Sequence, residues 1–267
     1  MGKLVKLITL FSTLFLTACG LFEYHPNEIR FDESQRNLNA KAFEEISATD
    51  GGKDTVRFIL MGDTQRFYDQ LEDFVLSANQ QENIDFTAIA GDITDFGLGK
   101  EFIWINDILT RLDKPYFAVV GNHDLTGNGS RAFREMFGPL DDSFVFRNKQ
   151  FVMVNTNSRE YGFEGMVPDL NWLEERLSLT EVDQSIVISH VAPFTGDFDR
   201  ELEIPYAQTL AESNKVRLSL HGHSHNFRSV SPYEDDVQYI VTSTVGKRQY
   251  LVFTVWGDDY SFEQVEF

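Results

Sequence analysis

Short apolar runs alternate with amphipathic segments along most of the chain. Five runs have the length and apolar character of buried strands, at residues 56–61, 86–90, 117–120, 186–189 and 217–221. Apolar residues between these runs recur at helical spacing, as in Leu71/Val75/Ala78, Phe102/Ile105/Leu109/Leu112 and Leu170/Leu173/Leu177. After residue 226 the pattern is typical of strands, at 237–243, 250–256 and 260–267. Strands that alternate with helices and then follow one another predict a layered α/β domain with mixed sheets.

The longest apolar run, residues 7–16, is typical of a targeting segment rather than of a strand or helix of the folded domain. It is too short to span a bilayer and follows Lys3 and Lys6, which is typical of a secretory signal. The run ends in Leu16-Thr17-Ala18-Cys19, and Cys19 is the only cysteine of the chain. This ending resembles the lipobox of bacterial lipoproteins, which is cleaved before a cysteine that is then lipidated. The alternative is an ordinary signal peptide with an incidental cysteine.

The lipobox divides the chain into three parts. Residues 1–18 are expected to be the signal peptide, and Cys19 is expected to anchor the protein to a membrane of the cell envelope. Gly20 follows the lipidated cysteine, where Asp is the usual signal for retention in the inner membrane. In a host with two membranes, Gly20 therefore resembles the pattern of lipoproteins that are sorted to the outer membrane. Residues 19–54 show little apolar periodicity and end in a turn-rich segment, which predicts a tether. The folded domain is therefore expected at 55–267, without a disulfide.

Composition and charge narrow the classes of function. The chain has 267 residues, of which 42% are hydrophobic and 24% charged, as in an ordinary globular protein. It carries 42 acidic and 23 basic residues, a formal charge of −19, and loss of residues 1–18 makes the charge −21. Nucleic-acid binding is not expected, because it needs basic patches that neutralise phosphates. A small anionic substrate is compatible with this charge if metal cations lie at its site.

A polar cluster follows each of the five buried runs. In chain order the clusters are Gly62-Asp63-Thr64-Gln65, Gly91-Asp92-Ile93-Thr94-Asp95, Gly121-Asn122-His123-Asp124, Ser189-His190 and His221-Gly222-His223-Ser224-His225. The carboxyl ends of strands in an open α/β sheet meet at one crevice, so these clusters are expected to meet in space. They contain five of the six histidines, and the sixth, His25, lies in the predicted tether. This pattern predicts a metal site, against the alternative that the histidines are ordinary structural residues.

The same five clusters resemble the motifs of the calcineurin-like metallophosphoesterase superfamily, over residues 56–225 and in the same order. Gly-Asn-His-Asp and Gly-His-Ser-His are the most specific of them. The resemblance implies a four-layer α/β sandwich of two mixed β-sheets flanked by helices. It also implies a metal-dependent hydrolase of phosphomonoesters or phosphodiesters that uses a bridging hydroxide at two divalent metal ions. A small phosphoester is the expected substrate.

The ligands of the two ions also follow from the resemblance. Asp92 is expected to bridge both ions, with Asp63 and His225 on the first ion and Asn122, His190 and His223 on the second. Carboxylate, amide and imidazole ligands suit Mn, Fe or Zn more than Ca. His123 is implied to be the general acid, with Asp124 orienting it and raising its proton affinity. The alternative for His123 is a merely structural hydrogen bond to Asp124.

Gln65 departs from the family pattern, because most members have His at this position of the first motif. An amide oxygen is a weaker and harder donor than imidazole, which lowers affinity for the first ion and favours Mn or Mg. Gln65 is a ligand, or it lies behind the ligands, or the first ion is loosely held. The change also leaves an alternative function open: a lipid-anchored metal-binding or ligand-binding protein whose catalysis is weakened or lost.

Several polar residues near the motifs have weaker assignments. Asp95 is expected to support the second motif or to cap a helix, and His221 is either near the site or a buried, hydrogen-bonded histidine. Four arginines are candidates for phosphate binding or are ordinary surface residues: Arg66, Arg131, Arg159 and Arg200.

Overall fold

Two mixed β-sheets form the centre of the fold in the computed structural model, which describes residues 25, 27–49, 51–178 and 181–267. The first sheet has the order β11-β10-β1-β2-β3. Its strands are β1 (Val56–Met61), β2 (Phe86–Ile89), β3 (Tyr116–Ala118), β10 (Gln249–Trp256) and β11 (Asp259–Glu266). Strands β1, β2 and β3 are parallel, whereas β10 runs antiparallel to β1.

The second sheet has the order β4-β5-β6-β7-β9-β8. Its strands are β4 (Asp142–Phe146), β5 (Lys149–Val154), β6 (Gln184–Ser189), β7 (Val216–His221), β8 (Arg228–Val230) and β9 (Gln238–Val241). Strands β5, β6, β7 and β9 are parallel. Both sheets therefore deliver a set of parallel carboxyl ends to their edges.

Alternation along the strands builds the cores on either side of the first sheet. Phe58 and Leu60 of β1 face the second sheet, and the ring of Phe58 lies 5.6 Å from that of Phe151. Ile59 and Met61 face the opposite way, toward helices. Since both faces are buried, every position of β1 after Arg57 is apolar, which is why this strand appears in the sequence as a continuous apolar run.

Helices cover the outer face of each sheet. The helices of the described residues are α1 (Leu38–Ala48), α2 (Tyr68–Ala78), α3 (Gly99–Leu109), α4 (Gly129–Met136), α5 (Leu170–Leu177) and α6 (Arg200–Glu212). Apolar residues of α2, α3 and α4 pack on the first sheet, and those of α5 and α6 pack on the second. The arrangement of helices, sheet, sheet and helices confirms the expected four-layer α/β sandwich.

The predicted strands and helices are all present, with ends that differ by up to two or three residues. Six elements were not predicted from the sequence: α1, α4, α6, β4, β5 and β8. In β5 the strand pattern is obscured because Lys149 and Gln150 are polar but fully buried. Lys149 Nζ pairs with Asp54 at 2.8 Å and with Asp183 at 3.2 Å, so its charge is neutralised inside the domain.

The predicted boundary at residue 55 is wrong for the end of the tether, because α1 packs against the domain. The side chain of Asn39 donates to the carbonyl of Ala118 (2.9 Å) and accepts from its N–H (3.0 Å), which extends the edge of β3. The ring of Phe43 stacks on that of Phe144 at 4.3 Å. The folded part therefore begins before Thr55.

The predicted signal segment and Cys19 lie outside the described residues. Within the described ranges, none of the helices has both the length and the apolar character needed to cross a bilayer.

Candidate metal centre

The loops at the carboxyl ends of five strands bring the predicted metal-site residues together. Asp63 follows β1, Asp92 follows β2, and Asn122 follows β3 in the first sheet. His190 follows β6, and His223 and His225 follow β7 in the second sheet. The centre therefore lies where the loops of the two sheets face each other, which is the position that the strand pattern predicts.

One group of ligand atoms surrounds the contact between Asp92 and His190. His190 Nε2 lies 3.2 Å from Asp92 Oδ2 and 3.1 Å from Asn122 Oδ1. His223 Nδ1 lies 3.0 Å from Asn122 Oδ1 and 3.3 Å from His190 Nε2. The ring Nδ1–H of His190 donates to the carbonyl of Ala90 at 2.7 Å, so Nε2 is the ring nitrogen that faces this group.

A second group shares Asp92 with the first. One ligand atom each from Asp63, Asp92 and His225 lie within 4.8 Å of one another, as do those of Asp92, His190 and His223. His225 Nε2 is 3.1 Å from Asp63 Oδ1. Asp92 is therefore the residue that the two candidate groups share.

Gln65 lies beside the second group. Its Nε2 donates to Asp92 Oδ2 at 3.3 Å, and its Oε1 is buried without a hydrogen-bond partner among the described residues. A buried amide oxygen without a partner is costly, and a cation is one partner that removes this cost.

The backbone at the centre is held in an uncommon conformation. Asp63, Asp92, His223 and His225 have φ angles of 56°, 54°, 69° and 55°, in the left-handed region that side chains with a Cβ rarely adopt. Backbone strain of this kind is concentrated at functional sites, where the surrounding structure enforces it. Gly121 has a related role, because a Cβ there would overlap the backbone nitrogen and the carboxylate of Asp92.

Charge in the centre is concentrated on buried groups. Complete burial would lower the pKa of His190, but the adjacent carboxylate of Asp92 raises it to about 10. Burial would raise the pKa of Asp92, yet attraction to His190 and its hydrogen bonds hold that pKa below its ordinary value. The buried carboxylates thus favour positive charge at this place, which protons on imidazoles or divalent cations supply.

The residues present fit two divalent cations. Carboxylate oxygens, imidazole nitrogens and amide oxygens converge, and such electron-pair donors repel one another unless a proton or a cation lies between them. The partnerless Oε1 of Gln65 adds one more donor to the side of Asp63 and His225. The metal centre is thus supported by the donor set itself.

His123 and Asp124 do not contact each other in the predicted way. His123 Nδ1–H donates to the carbonyl of Asp95 at 2.9 Å, and the backbone N–H of His123 donates to Asp92 Oδ1 at 2.9 Å. Asp124 is fully buried and accepts from the N–H groups of Ile93, Thr94 and Gly121 and from Thr94 Oγ1, at 2.8 to 3.2 Å. Asp124 therefore joins the second and third motif loops, and Asp95 orients His123.

The residues with weaker assignments lie in ion pairs, at the surface or in the core. The side chain of Asp95 pairs with Arg66 at 2.6 Å, and Arg159 pairs with Asp197 at 2.9 Å. Arg131 and Arg200 lie exposed on α4 and α6. His221 is buried between Ser189 Oγ (2.9 Å) and Ser219 Oγ (3.0 Å), and burial lowers its pKa to about 3, so it is a satisfied core histidine.

Sequence reasoning missed one carboxylate at the centre. Asp197 Oδ2 lies 2.8 Å from Nε2 of His223, although it belongs to the loop between β6 and α6. Asp197 follows His190 by seven residues within a turn-rich stretch, which is a weak signal for a carboxylate near that motif.

Comparison with known proteins agrees with this architecture. Residues 56–227 match the calcineurin-like phosphoesterase family, and the chain therefore belongs to that family. Purple acid phosphatase 3 of Arabidopsis thaliana is 25% identical over 256 residues, which cover 80% of this chain and 69% of the plant protein. The family and this relative imply a centre of two divalent metal ions.

Solved structures show the same fold. A dimetal phosphatase from Danio rerio superposes with a TM-score of 0.62 at 14% identity, covering 79% of this chain and 98% of its own. GAP50 of Plasmodium, described as the anchor in the inner membrane complex, superposes with a TM-score of 0.60 at 15% identity, covering 80% and 85%. At these identities the similarity concerns the fold alone.

Proposed function

We propose that this protein hydrolyses small phosphoesters with a dinuclear metal centre. The main support is that Asp92 belongs to two groups of possible metal-ligand atoms on neighbouring loops. Asp63, Asp92, Gln65 and His225 would hold one ion. Asp92, Asn122, His190 and His223 would hold the other. Two divalent cations, when bound, neutralise the charge of the phosphoryl oxygens and lower the pKa of water so that a nucleophile is available at neutral pH.

The chain itself supplies the acid for the leaving oxygen. Because Nδ1 of His123 donates to the carbonyl of Asp95, Nε2 is the ring nitrogen left to carry a proton toward the substrate. The backbone N–H of His123 is tied to Asp92, so the acid and the bridging carboxylate keep a fixed separation. This placement lets His123 protonate the leaving oxygen while Asp92 remains a ligand.

Gln65 is proposed as an oxygen ligand of the first ion, on the strength of its partnerless Oε1. Gln65→Ala is then expected to weaken binding of one Mn²⁺ ion and to leave the other unchanged, as measured by calorimetric titration. Unchanged binding of both ions would place Gln65 behind the ligands. A wild-type protein with about one tightly bound ion instead of two would contradict a pre-formed dinuclear centre.

The function is tested by hydrolysis of bis-p-nitrophenyl phosphate, p-nitrophenyl phosphate and cyclic nucleotides with added Mn²⁺. We expect metal-dependent turnover that is lost in His190→Ala and retained in His25→Ala, because His25 lies outside the ligand cluster. The relative rates on the first two substrates decide between diester and monoester preference. No turnover with Mn, Fe or Zn would contradict the proposal.

The alternative is a binding protein that has lost catalysis through Gln65. In that case the wild type binds metal without turnover, and Gln65→His restores turnover. The contacts of His123 with Asp92 and with the carbonyl of Asp95 favour the enzyme, because a binding scaffold has no need of a general acid next to the metal ligands.

We also propose that Cys19 anchors the protein in the cell envelope, with the outer membrane favoured in a host with two membranes. The support is the sequence alone: basic residues, an apolar run, and Leu-Thr-Ala-Cys. Mass spectrometry of the membrane fraction tests this proposal, and an unmodified Cys19 would contradict it.

A further inference from the structure

Asp197 reaches the metal centre from outside the five motifs. Its Oδ2 lies 2.8 Å from Nε2 of His223, and its Oδ1 accepts from Nη1 of Arg159 at 2.9 Å. The two carboxylate oxygens thus serve two different partners. Asp197 lies in the loop after β6, and Arg159 lies in the short 3-10 helix Ser158–Tyr161 that follows β5.

This contact determines which ring nitrogen of His223 carries the proton. A neutral imidazole carries one ring proton, and a carboxylate at 2.8 Å holds that proton on Nε2. Nδ1 is then left with a lone pair, and Nδ1 is the atom that faces Asn122 Oδ1 and His190 Nε2. The unfavourable tautomer would direct a ring proton into the cluster in place of a lone pair.

The same logic applies to His190, with a different partner. There the backbone carbonyl of Ala90 holds a proton on Nδ1, and Nε2 is the nitrogen that faces the cluster. A carbonyl in the middle of the fold cannot be replaced by mutation, whereas Asp197 can. His223 therefore offers an experimental test of how far an acceptor behind the ring contributes to metal affinity.

We propose that Asp197 is a positioning residue for the second metal ion, which it serves by orienting His223 and keeping its proton on Nε2. This inference rests on the proposed dinuclear centre. The backbone N–H of His223 also donates to Asp63 at 3.1 to 3.2 Å, so the residue is fixed at its backbone and at the far side of its ring. Arg159 pairs with the other oxygen of Asp197 at a partly exposed position, where an ion pair contributes little stability.

Three variants separate these roles: Asp197→Ala, Asp197→Asn and Arg159→Ala. Asp197→Ala removes the acceptor, and one of the two Mn²⁺ ions should then bind about 10- to 100-fold more weakly, with the other unchanged. Asp197→Asn keeps an acceptor oxygen and should lose less affinity. Arg159→Ala keeps the contact between Asp197 and His223, so it should bind both ions as the wild type does.

The measurements are calorimetric Mn²⁺ titration of the whole protein and long-range ¹H–¹⁵N spectra of the metal-free imidazoles. The wild type should show His223 in the Nε2–H form, and Asp197→Ala should show a mixture of tautomers. Unaltered Mn²⁺ affinities in Asp197→Ala would overturn the inference, because the contact with His223 would then not affect metal binding. An equal loss of affinity in Arg159→Ala would also overturn it, because the contact between the loops would then matter rather than the contact with the ring.

Failure of the two proposals can be told apart. A wild type that binds fewer than two ions contradicts the dinuclear centre, whatever the variants do. In that case the tautomer spectra still test Asp197, and an unchanged His223 tautomer in Asp197→Ala overturns its positioning role.

Discussion

The imidazole of His123 is held by the main chain of Asp95, whose carbonyl oxygen lies 2.9 Å from Nδ1. The acid proposed for catalysis is thus oriented by a group that no side-chain substitution removes. The side chain of Asp95 has a separate role, because its carboxylate pairs with Arg66. Substitution of the Asp95 side chain therefore removes the ion pair with Arg66 but leaves the hydrogen bond that orients His123.

His123→Ala is expected to lower turnover roughly 100- to 10,000-fold, since general acid catalysis contributes factors of this size. Bound metal should remain at the wild-type level, because His123 contributes no ligand atom to either group. Steady-state kinetics and metal analysis of the same preparation check both points. Asp95→Asn is the matched control: it breaks an ion pair with the exposed Arg66 but keeps the carbonyl of residue 95, so turnover should fall by less than about tenfold. Loss of metal in His123→Ala would contradict the acid role.

Asp124→Ala tests the corrected role of Asp124. The substitution leaves the N–H groups of Ile93, Thr94 and Gly121 buried without an acceptor, which should cost about 3 kcal/mol or more in unfolding free energy. Urea unfolding measures this loss, and Asp258→Ala in the exposed turn between β10 and β11 serves as the control. A variant with normal stability and metal but little turnover would instead support orientation of His123 by Asp124.

The sequence was informative where local pattern and burial agree. The run that became β1 is apolar because both of its faces are buried, and the cluster after it belongs to the metal centre. Strand β5 was not predicted because it begins with the polar residues Lys149 and Gln150. These two side chains are buried, and partners far along the chain stabilise them, such as Asp183 and the carbonyl of Arg176. Spacing along the sequence does not report such pairs.

The same limit applied to the candidate site. The five motif clusters and the ligand types were accessible from residues that follow apolar runs. The contacts of Asp124 with the second motif loop, and of Asp197 with His223, depend on how loops face one another in space. Composition and periodicity carry no information on that geometry.

Asn39→Ala tests whether α1 belongs to the folded domain. The side chain of Asn39 satisfies both the N–H and the carbonyl of Ala118, so its loss should lower the unfolding free energy by about 1 to 3 kcal/mol. Glu44→Ala, on the exposed side of the same helix, should have little effect. Equal stability of both variants would mean that the contacts of α1 do not stabilise the domain, as predicted for a tether that extends to residue 54.

Asp141 gives the protein a stability that depends on pH. Partial burial raises its pKa to about 6 from an ordinary 3.8, with the charges of Asp169 and Asp142 adding to the shift and the hydrogen bond from the Asn155 N–H opposing it. The folded state therefore binds this proton more tightly than the unfolded state. The resulting stability is full below about pH 4 and is lost as the pH rises through about 6.

Asp141→Asn removes this titration and keeps an oxygen that accepts from Asn155. Its stability relative to the wild type should increase between about pH 4 and pH 7, by about 1 to 3 kcal/mol, and should then remain constant. Urea unfolding at pH 4, 5, 6, 7 and 8 measures the difference directly. Asp141→Ala should show the same pH trend from a lower starting point, because it loses both the charge and the acceptor. Parallel curves for the wild type and Asp141→Asn would mean that the carboxyl titrates alike in the folded and unfolded states.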